Sequence, residues 1–159
     1  MSEQLIISGG SKNEKYQCLL QQISALMDSQ VDEVANMANL VAALKQTFGF
    51  FWVGFYRVQE NKLILGPFQG PIACTVIMKG KGVCGMAWQN NKTIIVPNVH
   101  EFPGHIACSE QSKSEIVVPL FINNRVHAVL DIDSDEFATF DELDQYHLEK
   151  ILECFCAFY

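Results

Sequence analysis

The chain has 159 residues, of which 49% are hydrophobic and 18% are charged, and its net charge at pH 7 is −7. This length and this apolar content predict one compact domain and exclude an intrinsically disordered chain. The acidic balance disfavours phosphate backbones and anionic lipid, so we expect neither a nucleic-acid partner nor a membrane partner. The segment Met1–Lys15 lacks the basic and apolar regions of a signal peptide, and we therefore expect a cytoplasmic protein.

The first third of the chain predicts two helices. Apolar residues recur at helical spacing over residues 16–26 and again over residues 34–48. Gly49 follows the second pattern, as is typical of the glycine that ends a helix.

After Gly49 the pattern changes to that of strands. Six strands are predicted, with a short helix at Gly82–Asn90 between the third and the fourth. The strands are expected at Phe50–Val58, Leu63–Leu65, Ile72–Met78, Thr93–Val96, Ser114–Ile122 and Arg125–Ser134. Asp141 is expected to cap a terminal helix.

This order of elements predicts an α+β fold. We expect an antiparallel six-stranded sheet with helices packed on one face, and a pocket between the other face and the loop of residues 98–111. A single domain would cover residues 1–159, with N-terminal helices over 1–49, the sheet and its loops over 50–140, and a C-terminal helix over 141–159.

Three of the six cysteines lie in the middle of the chain. Cys74 falls on a predicted strand, Cys84 opens the short helix, and Cys108 lies in the long loop. The dipole of a helix N-terminus stabilises a thiolate, so the pattern predicts a reactive Cys84. His105 could polarise Cys108 if residues 105–108 formed a turn of helix.

Two other interpretations of the cysteines stay open. They could be small apolar core residues, which is the expected role of Cys18, Cys154 and Cys156. Alternatively His100, His105 and Cys108 could bind zinc with a fourth cysteine. Since the chain has no C-x-x-C pair, we expect no metal.

Three acidic residues form a second candidate cluster. Asp131 and Asp133 alternate with apolar residues and share one strand face. They are either a solvated face or a receptor for a cationic group. A two-residue turn at Asn123-Asn124 would pair Glu115 with Ile132, on the wrong face. We expect a register shift of one residue, from a longer loop or from a bulge near Pro119, that brings Glu115 beside Asp133.

Aromatic residues form the third cluster. Strict alternation would place Phe50, Trp52, Gly54 and Tyr56 on one strand face and Phe51, Val53 and Phe55 on the other. Trp52 and Tyr56 on either side of Gly54 would form a cup for a small methyl-bearing or thioether group.

Five segments that contain these residues form one ordered string. They are Gly70–Thr75, Gly80–Gly85, Val96–Cys108, Ser114–Pro119 and Val129–Ser134. The string resembles the free methionine-(R)-sulfoxide reductases, a family built on the GAF domain. The resemblance extends from Phe51 to the terminal helix and includes the spacing of all three central cysteines.

The resemblance implies a reaction. A cysteine thiolate attacks the sulfur of free L-methionine-(R)-sulfoxide, methionine leaves, and the resulting sulfenic acid condenses with a second cysteine to a disulfide. Thioredoxin, supplied with electrons by NADPH and thioredoxin reductase, restores the thiols, and no cofactor is bound. Cys108 matches the nucleophile, and Cys74 and Cys84 match the resolving pair. Cys84 matches an alternative assignment of the nucleophile.

The resemblance also assigns the acids and the aromatics. Glu115, Asp131 and Asp133 match the group that holds the substrate ammonium and handles the sulfoxide proton, and Trp52 and Tyr56 match the aromatic wall. Val76 departs from a position that is often basic in the family. The rival function is a GAF module that binds a small ligand and has no catalytic activity. A homodimer through Phe155, Phe158 and Tyr159 is expected as one possible assembly.

Overall fold

The computed structural model describes residues 4–7 and 9–159, so the start of the predicted domain at residues 1–3 and Ser8 lies outside the described residues. The helices are α1 (Lys12–Leu26), α2 (Glu33–Phe48), α3 (Gly82–Asn90) and α4 (Glu142–Cys156), with a 3-10 turn at Val99–Glu101. The strands are β1 (Trp52–Gln59), β2 (Lys62–Gln69), β3 (Val76–Met78), β4 (Ile94–Val96), β5 (Ser114–Ile122) and β6 (Arg125–Ser134). None of the helices in this described part is long and apolar enough to cross a bilayer.

The six strands form one sheet in the order β3-β2-β1-β6-β5-β4, with antiparallel neighbours throughout. The long helices α2 and α4 pack on one face, where Phe155 contacts Phe55 of β1, and α1 packs against these two helices. The short α3 packs on the opposite face over a second, smaller core. The predicted α+β architecture is confirmed, and α3 and the loops around it are left to build the pocket.

Two predicted helix boundaries have clear local causes. Gly49 ends α2 in the left-handed conformation, with φ of 69°, and its N–H donates to the Lys45 carbonyl. Asp141 caps α4, because its carboxylate accepts hydrogen bonds from the N–H groups of Leu143 and Asp144 at 3.0 and 3.2 Å. The Asp144 carboxylate accepts in turn from the Asp141 N–H at 2.9 Å, which completes a capping box.

The third strand is shorter than predicted. It begins at Val76 rather than at Ile72, and Ile72 is 90% exposed. Apolar content alone suggested a strand, but Gly70, at φ of 141°, and Pro71 turn the chain away from the sheet edge. Cys74 therefore lies in a loop, and β2 continues to Gln69 instead of ending at Leu65.

The start of the first strand also differs from the prediction. The strand begins at Trp52, so alternation does not extend back to the two preceding residues. Phe50 packs into the core beneath the helices, whereas Phe51 lines the pocket on the other face. Their predicted faces are exchanged.

The residues expected at a dimer contact are engaged within the protomer. Phe155 is completely buried in the helix-face core, and Phe158 packs against it. The Tyr159 hydroxyl accepts a hydrogen bond from the Asn36 side chain at 2.6 Å. Phe155 is therefore unavailable as a contact between subunits.

Candidate active site

The hairpin of β5 and β6 sets the position of the pocket carboxyl groups. Asn123 and Asn124 form a two-residue turn with φ of 51° and 60°, and this turn pairs Ile122 with Arg125. A bulge then shifts the register between Phe121 and Leu120, next to Pro119. Beyond the bulge Glu115 pairs with Asp133, so the predicted register shift is confirmed and arises from the bulge rather than from a longer loop.

A cavity of about 540 Å³, including its open mouth, lies on this face of the sheet. Strands β5 and β6 supply its acidic floor, and the start of α3 supplies Val83 and Cys84. The loop before β5 supplies His105, Ile106, Cys108, Ser109 and Ser112. Strand β1 lies beside β6 and pairs Trp52 with Asp133 and Gly54 with Asp131. The sheet thus brings the predicted acids and aromatics together in one pocket.

The aromatic wall is held in place by hydrogen bonds and by stacking. Trp52 Nε1 donates to the Pro71 carbonyl at 3.0 Å, and its ring stacks on Tyr56 and Phe68 with centroids 6.1 and 5.4 Å apart. The Tyr56 hydroxyl donates to the carbonyl of Cys74 at 2.9 Å. The predicted cup around Gly54 is present, and a Cβ atom at Gly54 would lie 2.5 Å from the Trp52 ring.

The three pocket carboxyl groups are strongly perturbed. Burial raises the pKa of Glu115, Asp131 and Asp133 well above their ordinary values, and charge repulsion within the cluster raises them further. One carboxylate oxygen of Asp131, Oδ1, is buried without a hydrogen-bond partner. Both effects favour the protonated form of the carboxyl groups, which is the form that can donate a proton to a bound ligand.

Cys74 and Cys108 are joined by a disulfide, with their Cα atoms 5.6 Å apart. Cys108 is exposed and lines the pocket, and Cys74 is half-buried. The bond links the loop after β2 to the loop before β5. Two cysteines that are 34 residues apart in sequence are thus a redox-capable pair at the pocket entrance.

Cys84 lies in the first turn of α3, the position that predicted thiolate character. It is 3% exposed, and burial, followed by the charges of Asp131 and Glu115, raises its pKa well above the ordinary thiol value. Both effects act against the thiolate that the helix dipole favours, and a reactive Cys84 stays a prediction.

His105 does not lie in a helical turn with Cys108. Residues 105–108 are irregular, and His105 Nε2 faces Glu115 Oε2 at 3.5 Å. Burial lowers the pKa of His105 and raises that of Glu115, and both shifts act against an ion pair at this contact.

The proposed zinc pattern of the loop is not assembled in the described residues. Cys108 is bonded to Cys74, His100 lies edge-on to Phe137, and His105 faces Glu115. The cysteines outside the central three do not line the pocket: Cys154 is exposed, and Cys156 donates to the Phe121 carbonyl at 2.8 Å.

Sequence reasoning missed two residues of the site. Ser112 is buried and lines the pocket. Phe68 supports the Trp52 ring from β2. The signal for Phe68 was its place in an apolar strand beside β1, but no local pattern distinguishes Ser112 from other loop serines.

A curled antiparallel sheet with long helices on one face and a ligand-sized pocket on the other defines the class of GAF-domain proteins. A profile of the GAF domain family matches residues 30–153. The chain is 58% identical over 154 residues to GAF domain-containing protein A of Dictyostelium discoideum, covering 96% of this chain and 98% of that protein.

Two further comparisons narrow the class. The chain is 43% identical over 150 residues to free methionine-R-sulfoxide reductase of Saccharomyces cerevisiae, covering 89% of this chain and 83% of that protein. The structure of free methionine-R-sulfoxide reductase from Neisseria meningitidis in complex with its substrate superposes with a TM-score of 0.94 at 46% identity, covering 98% of this chain and 94% of that chain. The chain belongs to the free methionine-R-sulfoxide reductase family of GAF-domain proteins.

Proposed function

We propose that this protein reduces free L-methionine-(R)-sulfoxide to L-methionine through a cysteine sulfenic acid and a disulfide, and that thioredoxin recycles it. One observation carries the proposal: the Cys74–Cys108 disulfide adjoins a pocket that also holds three carboxyl groups with raised pKa values. A thiol that accepts oxygen, a second thiol that resolves it and an acid that protonates it are the groups that this reaction needs.

The pocket suits a free amino acid. Among the described residues that line it there is no lysine or arginine, so the substrate ammonium would be the cation beside Glu115, Asp131 and Asp133. The substrate methyl and thioether carbon would lie against Trp52 and Tyr56. A peptide-bound methionine sulfoxide lacks the free ammonium and carries extra chain, so it fits this pocket poorly.

The first half of the reaction moves one oxygen atom. The Cys108 thiolate attacks the sulfoxide sulfur while a pocket carboxylic acid protonates the sulfoxide oxygen. The oxygen is transferred to Cys108 as a sulfenic acid, and methionine leaves in its reduced form.

The second half removes that oxygen as water. The Cys74 thiol attacks the sulfenic sulfur, the S–O bond breaks, and the disulfide forms as hydroxide leaves with a proton. A dithiol of the thioredoxin class then supplies two electrons and two protons to regenerate both thiols. Cys108 is exposed, which suits attack by an external protein thiol.

The structure supports Cys108 over Cys84 as the nucleophile. Burial, followed by the charges of Asp131 and Glu115, raises the pKa of the Cys84 thiol, and an exposure of 3% leaves it little access to a protein reductant.

The test is thioredoxin-coupled NADPH consumption, measured with free R-sulfoxide, free S-sulfoxide and an N-acetylated methyl ester. We expect turnover of the free R epimer alone. Cys108→Ser should abolish even a single turnover, whereas Cys74→Ser should release one methionine per protein and accumulate a sulfenic acid that dimedone traps. Cys18→Ser and Cys154→Ser are the matched controls and should be unaffected.

Two outcomes would overturn parts of this proposal. A Cys84→Ser protein that fails in a single turnover while Cys108→Ser succeeds would exchange the two roles. A folded, reduced protein that turns over no sulfoxide would leave a ligand-binding GAF module without catalytic activity.

A further inference from the structure

The pocket contains a compact set of three atoms that could bind a metal ion. Cys84 Sγ and one carboxylate oxygen each from Glu115 and Asp131 all lie within 4.8 Å of one another, and all three residues are buried. Among residues 4–7 and 9–159 it is the one such group of three. Each atom comes from a different element, α3, β5 or β6, so the packed fold holds the set together.

A second observation is that one carboxylate oxygen of Asp131 has no hydrogen-bond partner. Asp131 is 7% exposed, lines the pocket, and leaves its Oδ1 buried without a hydrogen bond. A buried carboxylate oxygen without a partner is unfavourable, and a cation that enters from the pocket would relieve it. Asp131 is one of the residues that line the cavity, so the cavity is the side from which a cation would enter.

The chemistry of the donors selects the kind of cation. One thiol and two carboxylates match a borderline-soft divalent ion such as Zn²⁺, which binds sulfur at about 2.3 Å and oxygen at about 2.0–2.2 Å. Ligand atoms around such an ion lie roughly 3.3–3.8 Å apart, so small side-chain rotations close the observed separations. Mg²⁺ and Ca²⁺ prefer oxygen ligands alone and are disfavoured by the cysteine.

We propose that Zn²⁺ binds in this pocket to Cys84, Glu115 and Asp131, and that it excludes the substrate by occupying the acidic floor. Three protein ligands leave the fourth position open toward the cavity. Because Cys84 is outside the Cys74–Cys108 disulfide, the site exists in the oxidised protein. The exclusion of substrate rests on the proposed function, but the binding of zinc does not.

The binding experiment uses the full chain with Cys18, Cys154 and Cys156 replaced by serine, so that Cys84 is the free thiol and the disulfide is intact. A denatured thiol count of one verifies that state. Zn²⁺ is titrated in competition with a chromogenic chelator, and Mg²⁺ is titrated by calorimetry. We expect one Zn²⁺ per chain and no Mg²⁺ binding.

Two variants test the ligands separately. Cys84→Ser and Asp131→Asn should each weaken zinc binding by at least about tenfold, because even outer-shell partners of a metal site contribute roughly 10- to 100-fold to affinity. Circular dichroism verifies that each variant is folded. If one of the two variants does not fold, the other still tests the proposed ligands. Glu110→Gln, an exposed carboxylate, is the matched control.

The outcomes separate binding from inhibition. Absence of a one-to-one zinc complex, or affinity unchanged in both Cys84→Ser and Asp131→Asn, overturns the site. Free methionine sulfoxide should raise the apparent Kd for zinc in the same titration, and no effect would overturn the exclusion of substrate. A protein without reductase activity that still binds zinc would refute the proposed function and leave the metal site standing.

Discussion

Replacing Glu115 by glutamine is expected to remove most of the reductase activity and to stabilise the fold at neutral and alkaline pH. The activity is expected to fall because, in the proposed reaction, Glu115 is one of the three carboxyl groups that hold the ammonium and the sulfoxide proton. The fold gains stability because burial and the nearby Asp133 charge hold the pKa of Glu115 well above its ordinary value of 4.5. Ionisation of Glu115 therefore destabilises the native state.

The sign of the pH dependence follows from proton binding. Below pH 4.5 Glu115 is protonated in both the folded and the unfolded chain, and it contributes no difference. As the pH rises above that value the unfolded chain releases the proton while the folded chain keeps it, so the native state is the one that binds more protons. The free energy of unfolding of the wild type therefore falls with rising pH until the folded pKa is reached.

The magnitude can be scaled to a melting temperature. Each whole pH unit between the unfolded and folded pKa values lowers the stability of the wild type by about 1.4 kcal/mol. With an unfolding entropy of about 2.1 cal/mol/K per residue, a chain of 159 residues changes its Tm by about 4 °C for each such unit. The glutamine side chain does not titrate, so the Glu115→Gln protein does not lose this stability as the pH rises.

The assay is calorimetric unfolding of both proteins, with the disulfide intact, at pH values from 4 to 9. The two Tm values should coincide near pH 4 and diverge as the pH rises, with Glu115→Gln the more stable protein. Glu136→Gln, whose side chain is exposed, should follow the wild type throughout. A Glu115→Gln protein with an equal or lower Tm at pH 8, after equal values at pH 4, would refute the reasoning.

Three further changes test other parts of the structure. Asp144→Ala should destabilise the fold by about 3–5 kcal/mol, because the Asp144 carboxylate accepts hydrogen bonds from Tyr16 and Lys12 at 2.7 and 2.6 Å. A decrease of less than about 1 kcal/mol in the free energy of unfolding in urea would contradict this prediction. Gly54→Ala should displace the Trp52 ring and raise the KM for the sulfoxide by roughly tenfold or more, with a shift of tryptophan fluorescence; an unchanged KM would show that the ring does not contact substrate. Tyr56→Phe removes the hydrogen bond to the Cys74 carbonyl and should slow disulfide formation relative to the first release of methionine. Dimedone should therefore trap more sulfenic acid in the variant than in the wild type, and equal trapping would show that Tyr56 has no role in that step.

Local chemistry made several elements predictable. Gly49 and Asp141 mark helix boundaries by backbone conformation and side-chain capping, which are properties of single residues. The hairpin was predictable because Asn123 and Asn124 tolerate positive φ. The register of the hairpin could not be predicted from local chemistry alone. The bulge near Pro119 was expected only because it places Glu115 on the same strand face as Asp133.

The errors arose where tertiary contacts outweigh local pattern. The run from Ile72 to Met78 reads as a strand, but the turn at Gly70-Pro71 and the covalent bond of Cys74 keep its first half in a loop. An activated Cys84 thiol stays a prediction, but burial and the carboxyl groups of two distant strands act against it. Burial and charge at one position depend on residues far away in sequence, which spacing alone does not reveal.

The buried carboxyl groups on the two sides of the sheet differ in whether a cationic side chain is their partner. Beneath the helices, Asp144 has the Lys12 ammonium, the Tyr16 hydroxyl and a backbone N–H as partners. In the pocket, the residues that the structure describes as its lining include three carboxyl groups but no lysine or arginine. Clustered carboxyl groups repel one another as they ionise, so a ligand ammonium placed between them would favour their charged form. In the proposed reaction a free amino acid supplies that ammonium and a peptide-bound residue does not, which is a physical basis for the proposed preference.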